Sequence, residues 1–284
     1  MGAIITLTTD FGLTDAYVAA MKGVILGINP EANIVDICHT IRPQNVAEAA
    51  FVLGTACPFF PSGTIHVVVV DPGVGTERRA IILKTPTACF VAPDNGVLSY
   101  VVPEYRVKPR AATTSQHLAK LGPGLEAVAI TRSELYCSAG RRVSATFHGR
   151  DIFAPVAARL SLGQPPLEFG EKITTLTVFP IPRPYKGANG SIEGRIIHVD
   201  SFGNLITDVK SHDLLEAREK ITVEISGRRI KGLSRTYAEG QGLLALIGSN
   251  DYLEISLRDG NASAYLNATV GDEVKITTHK GGKP

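Results

Sequence analysis

The first half of the chain alternates short β-branched runs with stretches whose apolar residues recur at helical spacing. Ala3 to Thr9 (AIITLTT) reads as a buried strand, and Asp15 to Gly27 as a helix entered through Thr14 as its N-cap. Asn33 to Cys38 is a second strand, followed by helical periodicity from Asn45 to Ala56 (NVAEAAFVLGTA). Thr64 to Val70 (TIHVVVV) is apolar on both faces, which suits a central parallel strand covered on each side. Ala80 to Lys84 and Cys89 to Ala92 predict a hairpin with Thr85, Pro86 and Thr87 at its turn. Asp151 to Leu162 is a further helix, ended by Gly163 and Pro165.

After this the pattern changes. Pro- and Gly-rich sequence with little periodicity, including PPLEFG and PIPRPYKGANG, is followed by short strands separated by turn signals. Those strands are Gly194 to Val199, Ile221 to Ile225, Leu243 to Ile247, Tyr252 to Ser256 and Glu273 to Thr277. Strand alternating with helix argues for an α/β layer, and strands with little helix argue for a small barrel or sandwich. The expectation is an α/β N-terminal domain with a mostly parallel central sheet over residues 1–165, a linker over 166–190, and a smaller all-β, barrel-like C-terminal domain over 191–284.

Composition narrows the function classes. With 284 residues, 44% hydrophobic and 20% charged, the chain is ordinary for a soluble globular protein. Lys and Arg total 29 against 27 for Asp and Glu, a net charge of +2, which gives no reason to expect a nucleic-acid groove or an anionic membrane partner. No apolar run approaches the ~18 residues of a membrane span. MGAIITLTTDFG lacks a basic region before its apolar stretch, so it reads as a strand and not as a signal peptide. Cys38, Cys57, Cys89 and Cys137 form no CxxC pair and are expected as reduced thiols, which places the protein in the cytoplasm.

Polar residues collect at strand ends. Asp10, Asp71 and Asp94 each follow a predicted strand, where open α/β sheets place their ligand crevice, and each has Gly within a few residues. Capping or turn roles would use the same residues. DPGVGTERR (Asp71 to Arg79) lacks the Lys-Ser/Thr of a phosphate loop and the third Gly of a dinucleotide fingerprint. Arg78 is close enough to fold back and pair with Asp71, although a solvated arginine has the same spacing. His148, just before a helix, is a capping or packing residue or an acid–base group. The His148–Asp151 pair is too sparse for a metal, and with no HExxH or GxSxG no metal is expected. In the second half, DSFGNLITD sets Asp200, Phe202 and Asn204 on one turn, where an aromatic face beside an amide suits a flat heterocycle. A polar hairpin turn with an incidental Phe would read the same way.

TTDFG, HTIRPQNVAEAAFVL, VVVVDPGVGTERR, APDNG, FHGRDIFAPVAA, DSFGN, and GSNDYLEIS with GNA occur in this order from residue 8 to residue 262. Together they resemble the S-adenosylmethionine (SAM) hydroxide adenosyltransferases, adenosine-forming SAM hydrolases related to the fluorinase and chlorinase enzymes. The stretch Arg110 to Arg142 departs from the family's pattern. The resemblance implies cleavage of SAM by water into adenosine and methionine, in a homotrimer with active sites between neighbouring subunits. By motif, Asp10 would bind the ribose hydroxyls, and Asp71, Arg78 and His148 would position and activate the attacking water. Asp200 would hold the methionine ammonium, Phe202 would stack on adenine and Asn204 would bond its edge. Ser249 matches the position that binds the methionine carboxylate, and Asn261 and Ala262 match the backbone segment beside adenine.

The chemistry suits these residues. Displacement at the ribose 5′ carbon of a sulfonium expels neutral methionine, so no general acid and no cofactor are required. The work is to align water opposite sulfur and to remove a proton, by Asp71 or by His148. A SAM-dependent halogenase is the first alternative; its halide would be repelled by Asp71, where the halogenases carry a tyrosine. The second alternative, a non-catalytic sensor of SAM or adenosine, would have no use for Asp71, Arg78 and His148 together.

Overall fold

The computed structural model describes residues 2–102, 116–136, 142–187, 190–214 and 221–278. The chain divides into two compact units, the first ending at Pro180 and the second beginning at Ile181.

The first unit opens with β1 (Ile4–Thr9), α1 (Tyr17–Ile28), β2 (Asn33–Cys38), α2 (Val46–Ala56) and β3 (Thr64–Val69). The hairpin β4 (Ala80–Lys84) and β5 (Ala88–Pro93) follows, then β6 (His117–Lys120), β7 (Glu126–Ile130), α3 (Ala154–Ser161), β8 (Gly170–Ile173) and β9 (Thr175–Val178). Seven strands form one sheet in the order β2-β1-β3-β5-β4-β7-β8. Pairing is parallel from β2 to β5, and β4, β7 and β8 complete the sheet with antiparallel pairs. Both faces are covered, because β3 divides its side chains between two cores. Ile65, Val67 and Val69 pack with α1 and α3, while Val68 and Val70 pack with α2 and β9. Burying each such side chain contributes about 1.5–3 kcal/mol, which is why the continuous valine run of β3 settles at the sheet's centre.

Three local expectations change. The stretch expected as a linker carries β8, paired with β7, and β9, paired with β6; only residues after Pro180 leave the first unit. Its alternation is real, with Leu176 and Val178 buried, but is hidden between prolines. Thr14 does not cap α1. The helix starts at Tyr17, whose ring packs edge-on against Phe147 at 5.2 Å, and Thr14 stays in an exposed turn. The helix expected from Asp151 begins as a π-helical turn, Gly149–Phe153, before α3.

The second unit comprises β10 (Tyr185–Lys186), β11 (Ile192–Val199), β12 (Leu205–Lys210), β13 (Ile221–Ile225), β14 (Arg228–Lys231), β15 (Leu243–Ile247), β16 (Tyr252–Leu257), α4 (Ala262–Leu266) and β17 (Glu273–Thr278). Its antiparallel sheet runs β14-β13-β17-β11-β12-β16-β15, and the end strands β14 and β15 approach each other to make a nearly closed barrel. Ile196, Leu205, Val223, Leu253 and Ile276 fill its interior.

Candidate active site

Because β1, β3 and β5 are parallel, Asp10, Asp71 and Asp94 emerge on one sheet edge. The structure then assigns them different surroundings. Asp94 is occupied: Arg79 binds its Oδ2 through Nε at 2.8 Å and through Nη2, and the Thr177 N–H donates to its Oδ1 at 2.7 Å. It clasps β9 to the sheet, a structural use of a carboxylate that its position alone could not reveal.

Asp71 and Arg78 meet across the loop between β3 and β4. Arg78 Nε lies 2.9 Å from both Asp71 carboxylate oxygens, and Nη2 donates to Oδ2 as well. The pair is nearly enclosed, with the Asp71 side chain 5% exposed. The same Nη2 lies 2.6 Å from His148 Nδ1, and the guanidinium sits over the Phe153 ring at 5.4 Å. Arginine only donates, so Nδ1 accepts and the ring proton of neutral His148 resides on Nε2. Burial, reinforced by the Arg78 cation, pushes His148 below the usual histidine value, while Asp71 and Asp151 partly oppose the shift. His148 is therefore uncharged near neutral pH.

Two features hold this contact in place. Gly75 has φ 77°, and a Cβ there would lie 2.5 Å from the Ala145 carbonyl oxygen, so the glycine turn presses against the segment leading to His148. Asp151 Oδ2 accepts from the Ser144 N–H at 2.8 Å, and Arg150 Nε donates to Oδ1 at 2.6 Å. Against the upward push of burial, these bonds hold the Asp151 carboxyl below its ordinary value. The π-helical turn sets Asp151 close enough to act on His148 and lays Phe153 beneath the Arg78 guanidinium, a local geometry often found at functional sites.

Asp10 stands at the end of the neighbouring strand, and its Oδ2 accepts from the Gln44 N–H at 2.7 Å. Gln44 and Phe153 were not legible as site residues: one contributes a backbone donor and the other lies beneath the guanidinium.

In the second unit, Asp200 folds its own turn. Its Oδ1 accepts from the N–H groups of Phe202 at 2.9 Å and Asn204 at 2.8 Å, and its Oδ2 accepts from the Asn204 side-chain amide at 2.9 Å. Phe202 is left 75% exposed, while Asn204 and Ala262 are buried. Gly203, at φ 85°, lies so close to Asn261 that a Cβ would fall 2.1 Å from its Cγ. Ser263 N–H also donates to the Gly203 carbonyl at 2.9 Å. Asp200, Phe202, Asn204, Asn261 and Ala262 therefore form one neighbourhood. Ser249 stands on a separate exposed turn between β15 and β16, closed by Asp251 N–H to Gly248 O at 3.0 Å.

Among the described residues, no group of three or more His, Cys, Asp or Glu side chains could hold a metal ion, and no helix is long and apolar enough to cross a membrane. Cys38, Cys57 and Cys89 are free thiols, and Cys137 lies outside the described residues.

Comparison with known proteins converges on one group. The model of the SAM hydroxide adenosyltransferase N-terminal domain matches residues 5–170, and that of the C-terminal domain matches residues 194–275. An (R)-S-adenosyl-L-methionine hydrolase from Methanocaldococcus jannaschii is 35% identical over 287 positions, covering 96% of this chain and 95% of the relative. A crystal structure of an uncharacterized conserved protein from Thermotoga maritima is 36% identical, with TM-score 0.83, covering 96% of this chain and 99% of that one. A fluorinase from Nocardia brasiliensis is more distant, 26% identical over 96% of this chain and 97% of its own. The chain belongs to the SAM hydroxide adenosyltransferase family.

Proposed function

We infer that this chain is a hydrolase that converts S-adenosyl-L-methionine and water into adenosine and L-methionine; the (R) form named for its relative is the proposed substrate. The observation that carries this reading is the contact of Asp71, Arg78 and His148 at the sheet edge. A water oxygen bonds to the ribose 5′ carbon as the carbon–sulfur bond breaks. The electron pair of that bond goes to sulfur, methionine departs as a neutral thioether, and the water gives up a proton. Because the leaving group is neutral, the reaction is proposed to need no metal and no cofactor.

Arg78 fixes Asp71 and His148 together, so the groups able to receive the proton are held in one geometry before substrate arrives. Asp71 presents acceptor oxygens only. Water can donate to them; a halide cannot, which favours hydrolysis over halogenation. Asp10 is proposed to bind the ribose hydroxyls, and Asp200 the methionine ammonium. Phe202, Asn204, Asn261 and Ala262 are assigned to adenine, and Ser249 to the methionine carboxylate. Homotrimer assembly with sites between neighbouring subunits, and a cytoplasmic location, belong to the same reading; activity that falls with trimer content on dilution tests the assembly.

Turnover in ¹⁸O-labelled water tests the bond-forming step. Label in the 5′ hydroxyl of adenosine is the expected result, and unlabelled adenosine would overturn attack of water at that carbon.

A further inference from the structure

The segment HTIRPQN, between β2 and α2, wraps the Asp10 turn from two sides, and its histidine is buried beneath that turn. The His39 side chain is 2% exposed, yet both ring nitrogens meet polar atoms. Nε2 lies 3.1 Å from Asp36 Oδ1, and Nδ1 lies 2.9 Å from Thr9 Oγ1. Asp36 is in turn anchored by Lys22 Nζ at 2.6 Å. His39 Nδ1 and the Thr9 hydroxyl share one buried hydrogen bond, which fixes where Thr9 Oγ1 points. The lone pairs of Thr9 Oγ1 then face the Phe11 N–H, 3.3 Å away. The His39 carbonyl accepts from the Gly12 N–H at 2.7 Å, so the residue grips the turn through its backbone too. From the other side Gln44, held at φ 64°, donates its N–H to Asp10 Oδ2.

We propose that His39 is a positioning residue that aims Asp10 at the substrate ribose, acting through Thr9 and the Asp10–Gly12 turn. The proposal rests on the reading of Asp10 as the ribose ligand. Asp10 is a single-residue step off a strand, and the Gln44 N–H anchors its carboxylate. Its aim depends on the two N–H groups that follow it, and His39 governs both. Displacement of a positioning group by about 1 Å can cost on the order of 100-fold in rate, so loss of this support is felt at the ribose end.

The test measures kcat/KM for SAM and for its 2′,3′-dideoxyribosyl analogue with His39→Ala, Thr9→Val and Asp10→Ala, with melting midpoints alongside. His39→Ala and Thr9→Val are expected to lower kcat/KM for SAM on the order of tenfold, chiefly through KM, and by no more than about twofold for the analogue that lacks both hydroxyls. His39→Gln, which keeps a donor and an acceptor, should recover most of the loss. If His39→Ala does not fold, Thr9→Val carries the same comparison, because it removes only the relay hydroxyl. Equal losses on both substrates, or no loss on SAM, overturn the proposal while Asp10→Ala still discriminates between them. Failure of Asp10→Ala itself to discriminate would instead overturn the ribose reading on which the proposal stands.

Discussion

Arg78 Nη2 and His148 Nδ1 lie 2.6 Å apart although 70 residues separate them in sequence, and the same guanidinium grips Asp71. One side chain thus fixes a carboxylate and a neutral imidazole at the end of β3.

Asp71→Asn replaces one acceptor oxygen with an NH2 donor without changing size. On the proposed mechanism kcat falls about 100- to 10,000-fold with little change in KM, measured by steady-state adenosine release. A parallel rise in KM would assign Asp71 to binding.

The acid limb of the kcat/KM profile should lie below the ordinary histidine range near 6.5, because burial and Arg78 lower the His148 value. Asp151 pulls that value upward, so Asp151→Asn should move the limb to still lower pH. A limb that stays in place would separate His148 from the rate-determining proton transfer.

Phe202 is 75% exposed, so Phe202→Ala should leave the melting midpoint within the range of neutral surface changes, about 0.5 kcal/mol. Stacking of a base on an aromatic ring contributes about 1–3 kcal/mol, so KM for SAM should rise on the order of tenfold or more. Loss of stability with unchanged KM would make the ring structural.

What could be read from the sequence divides along physical lines. TIHVVVV announced β3 because its valine run is apolar towards both faces, although the buried Thr64 and His66 share the strand, and the order of motifs from TTDFG to GNA carried the family. β12 was missed because DSFGNLITD reads as a turn: its Thr207 and Asp208 are polar yet buried. Asp94 looked equivalent to Asp71 until its partner Thr177, 83 residues away, came into contact. Gln44 serves through an amide hydrogen that every residue except proline possesses, so side-chain chemistry gave no sign of it.

Asp208 gives a stability test independent of catalysis. Burial pushes its carboxyl up to about 6, partly opposed by the Arg195 N–H bonded to Oδ1 at 2.8 Å. A folded-state value above the unfolded one means that the contribution is present below about pH 4 and lost as pH rises towards 6. Asp208→Asn, which can still accept from Arg195, should raise stability at pH 7 by about 1–3 kcal/mol and flatten the pH dependence between 4 and 6. An unchanged melting curve would show the carboxylate to be better solvated than its burial implies.

Gly203→Ala should destabilise the second unit by about 1–3 kcal/mol, since the residue sits at φ 85° against Asn261. A melting midpoint equal to that of the parent would mean that the turn and α4 separate without cost.

The most direct test of the central claim is chromatographic analysis of purified protein incubated with SAM, with and without chloride. Adenosine and methionine formed in equal amounts at the same rate in both buffers is the predicted result. A 5′-chlorinated nucleoside, or tight binding of SAM with no product, would contradict it.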